Sequence, residues 1–415
     1  MAEPIAKKYI ADFEKLGFGM FVHMGLYSEI GHGEWIAHRE GTEETVYKKL
    51  TETFCPKSME EIVLTAQNAG AKYITFTTKH HDGFSLFDTK GLSDFDVMHS
   101  AAGRDIVREF VNACRKYDIV PVFYYATYEW WNQDYYHDFN KYLEYLRKSV
   151  EILCTEYGKV GGFWFDGNWS QTAYDWKEDE LYATIRKHQP EAIITNNTGL
   201  SAQGVIGNPE IDCVTFERGR PEPLDREGAS KYITGEMCES VNAHWGLAKD
   251  YNFKSPKKLI EELCECRKVG ANFLLNIGPN TDGTVPIMPK AIMETIGEWM
   301  KMFGDAIYGT KPCWYQTGTR NFVLEKGSNV YLFCLDLCRR GSADVTYIEG
   351  TEGEFVFENF PYELKDICWM DNAEKLEFRH EENSLVVNFT GFEYGIDYCV
   401  RVAIARKVRE YNASI

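Results

Sequence analysis

Over the first three quarters of the chain, short runs of β-branched, aromatic and aliphatic residues alternate with longer stretches whose apolar positions recur at helical spacing. The runs fall at 18–23, 73–78, 120–125, 162–166, 192–196, 214–216, 232–235 and 272–277. Between them lie amphipathic segments such as 58–67, where Ser58 and Glu61 have capping-box spacing, and 105–114. Eight strands, each leading into a helix, predict a (β/α)8 barrel of the TIM type, closed by a helix from about Lys290 to Phe303. From about Lys311 the period shortens. Segments 321–324, 329–335, 345–348, 384–389 and 398–404 alternate apolar and polar positions between Gly, Asn and Asp turns, which predicts a small antiparallel β-sandwich. The expected division is therefore a barrel domain over 1–310 and a sandwich domain over 311–415.

Composition narrows the partners. Forty-five basic residues against sixty-three acidic ones leave a net charge of −18, which disfavours nucleic acid and anionic membrane surfaces but does not repel a neutral ligand. No window approaches the roughly 18 apolar residues needed to cross a bilayer, and the N-terminal residues lack the apolar run of a signal peptide. Twelve cysteines occur without a CxxC pair, so reduced thiols and a cytoplasmic location are expected. No GxGxxG or P-loop pattern sits at a strand–helix junction, and no HExxH or similar spacing accompanies the histidines; neither cofactor nor metal is expected.

The candidate chemistry gathers at the C-terminal ends of the expected strands, where barrels of this kind place their sites. His23, His80, His81, Tyr125, Asp166 and Asn196 all end or closely follow a strand. In Phe163-Trp164-Phe165-Asp166-Gly167, alternation turns Trp164 and Asp166 into the barrel and Phe163 and Phe165 toward the helices. A carboxylate beside an inward tryptophan is placed to attack a sugar; the competing reading is an aspartate capping the turn at Gly167. A retaining glycosidase needs a second carboxyl group roughly 5–5.5 Å away. Glu217 and Glu222, in Thr215-Phe-Glu-Arg-Gly-Arg-Pro-Glu222, both qualify, Glu217 at the strand end beside Arg218 and Glu222 further out on the loop. Glu34-Trp35, Trp245 and Trp130-Trp131 offer aromatic faces for a pyranose, although the last pair serves equally well as a small loop core.

Taken together, Phe18-Gly-Met-Phe-Val-His23-Met-Gly, Glu34-Trp35, Lys79-His80-His81-Asp-Gly-Phe84, Trp164-Phe-Asp166-Gly, Arg220-Pro-Glu222, His244-Trp245-Gly and Asn272-Phe-Leu-Leu-Asn-Ile-Gly-Pro resemble, in order across the barrel, the family-29 α-L-fucosidases. The resemblance implies a retaining, exo-acting hydrolase of terminal α-L-fucose on fucosylated glycans, with Asp166 as nucleophile. It favours Glu222 over Glu217 as the acid/base. It implies His23, Glu34, Trp35, His80, His81, Tyr125, Trp164 and Trp245 as sugar-binding or wall residues. The chain departs from many members at Asn196-Asn197-Thr198, where they have an arginine. A retaining exo-glycosidase for another sugar and a non-catalytic fucose-binding barrel are the competing expectations.

Overall fold

The computed structural model describes residues 4–227, 229–313, 320–335, 353–389 and 399–410. Eight parallel strands close into a barrel: β1 Phe18–Val22, β2 Tyr73–Lys79, β3 Val120–Ala126, β4 Gly162–Asp166, β5 Ile193–Asn197, β6 Cys213–Glu217, β7 Thr234–Ser240 and β8 Asn272–Ile277. Each pairs with the next, and β8 pairs with β1. The strands are buried on both faces because helices cover their outer side, which is why they read as nearly continuous apolar runs. Outward Phe163 and Phe165 lie parallel to each other, and Phe165 meets Tyr182 of helix Glu178–His188. Inside, Phe21, Tyr73, Val122, Tyr124, Ala126, Trp164, Ile193, Cys213, Cys238 and Leu274 fill the barrel. Helix Lys8–Glu14 closes its N-terminal end, with Phe13 5.0 Å from the ring of Tyr73, the first residue of β2.

Some of the helices start where a capping side chain satisfies their free N–H groups. Asp105 accepts from the backbone N–H of Arg108 at 2.8 Å and begins helix Ile106–Lys116, whose last turn is basic. The expected capping box at Ser58 does not form. The helix there begins one residue later, at Glu60 with Met59 as its N-cap, so Ser58 Oγ accepts from Glu60 N and Glu61 pairs with Lys290 instead.

The chain divides into two compact units, residues 1–254 with 271–295 and residues 255–270 with 296–415. Helix Pro256–Lys268 thus falls within the second unit, where it packs on strands Lys311–Cys313 and Phe322–Lys326. Among the described residues that unit also holds two antiparallel sheets, one of five strands and one of three. Their facing side chains, among them Val330, Leu332, Phe357, Leu385, Val387 and Phe389, form one core, as expected of a β-sandwich. The expected strand at 345–348 lies outside the described residues.

Candidate active site

At the C-terminal end of the barrel a cavity of about 450 Å³ is lined by Phe21, His23, Trp35, His80, His81, Tyr124, Trp164, Asp166, Trp169, Asn197, residues 198–201, Glu217, Cys238 and Trp245. Strand alternation builds its floor. Asp166 ends β4 with its side chain on the inner face, two positions beyond Trp164, and the register of β3 sets Tyr124 opposite Trp164 and Ala126 opposite Asp166. The Tyr124 and Trp164 rings stack at 5.6 Å.

Four donors surround the Asp166 carboxylate. Oδ2 accepts from the Tyr124 hydroxyl at 2.9 Å and lies 3.4 Å from His81 Nε2. Oδ1 accepts from Trp169 Nε1 at 2.9 Å and Asn197 Nδ2 at 3.1 Å. Burial alone would raise the pKa of this acid. The hydrogen bonds from His81, Trp169 and Tyr124 together with the charge of His81 outweigh it, holding the carboxyl below the usual range. His81 Nδ1 in turn faces the carbonyl of Tyr128 at 3.0 Å, so both ring nitrogens meet acceptors.

Glu217, ending β6, faces the same space. The Asn197 amide that donates to Asp166 also donates to Glu217 Oε2 at 2.8 Å. The two carboxylate oxygens are therefore no further apart than the sum of those two hydrogen bonds, short of the roughly 6.5 Å at which inverting carboxyl pairs begin. Burial, reinforced by the negative charge of Asp166, pushes Glu217 up to about 7. Arg218 does not neutralise it directly: its guanidinium lies 3.5 Å from Glu239 and 4.6 Å from the centre of the Trp245 ring. Two neighbouring carboxyls with opposed affinities for a proton are what a nucleophile and a general acid require.

His23 and His80 are neutral donors and acceptors deep in the cavity. His23 Nδ1 donates to Asn276 Oδ1 at 2.7 Å, because the Asn276 amide nitrogen is already engaged with Ser240 Oγ and the Trp245 carbonyl. Burial lowers its pKa to about 4. The same effect drives His80, stacked on Tyr124, well below its ordinary value.

Three expected site residues stand elsewhere. Tyr125 points out of the barrel, because alternation from Ala126 and Tyr124 leaves it on the helix side, where the Lys79 ammonium sits 4.6 Å over its ring. Glu222 is exposed and lines a separate cavity of about 230 Å³ with Phe216, Leu224 and Arg226, since the chain turns away at Arg218, which adopts a left-handed φ of 51°. Glu34 is buried behind the wall, its Oε2 accepting from the backbone N–H groups of Trp245 and Gly246 at 3.0 and 2.8 Å. Trp130 packs against Trp35 and His38. Conversely, Tyr124, Trp169 and Asn197 belong to the site without having been singled out from the sequence. The first and third emerge only from the register of β3 and β5 on β4, which sets Ala126 and Asn197 opposite Asp166. Trp169, on the single 3-10 turn Asn168–Ser170, has no periodic signal at all. Among the described residues no group of three or more His, Cys, Asp or Glu is arranged to hold a metal ion.

Comparison with known proteins places this geometry. A family model described as alpha-L-fucosidase matches residues 3–305. The tissue alpha-L-fucosidase of Rattus norvegicus is 28% identical over 397 residues, covering 85% of this chain and 84% of that protein. Alpha-L-fucosidase isoenzyme 1 from Paenibacillus thiaminolyticus superposes with a TM-score of 0.82 at 28% identity, covering 97% of this chain and 99% of that one. An alpha-L-fucosidase from Bacteroides thetaiotaomicron, trapped as a covalent intermediate with 2-fluoro-fucosyl fluoride, shares the fold at 21% identity and a TM-score of 0.82, covering 98% and 97% of the two chains. A match over nearly three quarters of the length, through every barrel strand, makes this chain a member of the α-L-fucosidase family of glycoside hydrolases.

Proposed function

We propose that the protein is a retaining, exo-acting α-L-fucosidase that removes terminal α-L-fucose from fucosylated oligosaccharides or glycoconjugates, with Asp166 as nucleophile and Glu217, rather than Glu222, as acid/base. The observation that carries this reading is the shared Asn197 amide, which keeps the two carboxyl oxygens it bonds closer than the roughly 6.5 Å at which inverting pairs begin. The cavity floor of Phe21, Trp164 and Cys238 offers an apolar surface to a 6-deoxy sugar, while His23, His80 and His81 offer polar atoms to its hydroxyls. The covalent intermediate trapped in the Bacteroides relative supports the same chemistry.

In the first step an Asp166 oxygen bonds to the anomeric carbon as the bond from that carbon to the leaving oxygen breaks, and Glu217 passes its proton to that oxygen. The fucosyl ester stays in the cavity. Glu217, now ionised, takes a proton from water, whose oxygen attacks the anomeric carbon and returns Asp166 to the carboxylate.

Glu217→Gly should lose activity and regain it with azide on an activated aryl α-L-fucoside, releasing a fucosyl azide. Rescue in Glu222→Gly but not in Glu217→Gly would reverse the assignment. On a panel of p-nitrophenyl glycosides, cleavage of another sugar with none of the α-L-fucoside would overturn the fucose reading.

A further inference from the structure

One side of the cavity mouth is built differently from its floor. Trp169 is 39% exposed and Leu200 64% exposed, yet both line the cavity that holds Asp166 and Glu217. Exposed apolar side chains are common singly, but these two share a rim, and Trp169 is not loose. Its neighbours anchor it: Asn168 accepts from Thr127 Oγ1 at 2.7 Å and donates to Glu178, and Ser170 shares a hydrogen bond with Tyr135 and another with the Gly167 carbonyl. Gly167 itself has a φ of 122°, and a Cβ there would stand 2.4 Å from the Tyr128 backbone nitrogen, so the turn hugs the preceding loop. An indole is thus presented to solvent at a fixed angle while its N–H holds the nucleophile oxygen Oδ1. Next to it, Thr198 Oγ1 bonds the Ala202 carbonyl and Gly199 N bonds Asn197 Oδ1, which fixes the turn carrying Leu200. A side chain at Gly199 would come within 3.5 Å of the Trp169 ring; with glycine there the ring edge stays open.

We propose that Trp169 and Leu200 form the leaving-group subsite, a platform for the apolar face of the neutral pyranose to which the fucose is joined, and that Trp169 links occupancy of this platform to the orientation of Asp166. This rests on the fucosidase reading above and extends it to the other half of the substrate. A rigid aromatic face suits the CH face of a pyranose, and Ser201 places an exposed hydroxyl alongside. A neutral partner fits a chain of net charge −18 better than a sialylated one.

The test compares two substrates on the same enzyme preparation, so that misfolding cancels: a neutral fucosyl disaccharide, and α-L-fucosyl fluoride, whose leaving group has no ring to stack. In Leu200→Ala and Trp169→Ala the ratio of kcat/KM for the disaccharide over the fluoride should fall by about tenfold or more, the discrimination that a few lost apolar contacts produce. Trp169→Phe keeps an aromatic face and loses the N–H; it should preserve the ratio within about threefold while lowering kcat on both substrates. An unchanged ratio in both alanine variants would overturn the subsite. A collapse of the ratio in Trp169→Phe as deep as in Trp169→Ala would overturn the division of roles between face and N–H. Failure of the unaltered enzyme to cleave either fucosyl substrate would instead remove the fucosidase reading beneath both.

Discussion

The Tyr124 hydroxyl donates to Asp166 Oδ2 at 2.9 Å from the neighbouring strand, and the barrel register leaves it no other course. Tyr124→Phe should therefore weaken the stabilisation of the ionised Asp166, the proposed nucleophile. A carboxyl held low loses part of what holds it, its pKa rises, and the acidic limb of kcat/KM moves to higher pH. The plateau should drop by about 10- to 100-fold, in line with a hydrogen bond to a charged group. A rate-versus-pH profile with an unmoved acidic limb would contradict the assigned role.

As the proposed acid, Glu217 has to be protonated to assist departure of the leaving group, and with its pKa near 7 the activity should fall through neutral pH on the alkaline side. Asn197 donates to the ionised form, so Asn197→Ala should move that alkaline limb upward while reducing kcat. Stopped assays from pH 5 to 9 with an aryl fucoside check both halves.

Tyr125 faces the helices, not the cavity. Tyr125→Phe should leave KM for an aryl fucoside within about twofold of the parent, since surface or buried changes away from a site act on stability rather than binding. A tenfold rise in KM would return Tyr125 to the sugar.

Behind that tyrosine, Lys79 is fully buried and sits 2.6 Å from Glu129. Lys79→Met would strand a nearly buried carboxylate and should cost about 3–5 kcal/mol in urea unfolding. The double variant Lys79→Met, Glu129→Leu should recover much of that loss.

Within the barrel, Glu236 accepts from Tyr73 and from Trp164 Nε1 at 3.0 Å with no cation beside it, and burial pushes it up to about 7. The folded state therefore holds this proton to a higher pH than the unfolded chain does. Stability is unaffected below pH 4.5, declines between about 4.5 and 7, and levels off above, an interval worth on the order of 3 kcal/mol. Glu236→Gln should flatten that decline in unfolding measured across the window.

The barrel was legible because parallel strands buried on both sides are short apolar runs, and the run ending at Asp166 carries its own alternation. The Tyr124/Tyr125 choice was not: both are aromatic, and only pairing with β4 shows that Ala126 lies beside Asp166. Glu217 and Glu222 differ by five residues, yet the left-handed turn at Arg218 between them sends one into the cavity and the other away. Neither a register nor a single backbone angle is written in local composition. The expected division at 310 followed the change in period, whereas the compact units follow packing, which groups helix Pro256–Lys268 with the strands that come after it.

Glu34 carries a consequence for anyone rebuilding this enzyme. By accepting from Trp245 and Gly246, with His32 bridged to Ala248 alongside, it sews the loop after β1 to the loop after β7. The two are not interchangeable modules. A graft that replaces either one alone leaves a buried carboxylate facing no donor or two amides facing no acceptor, so recombination at this rim succeeds only when both loops travel together from one parent.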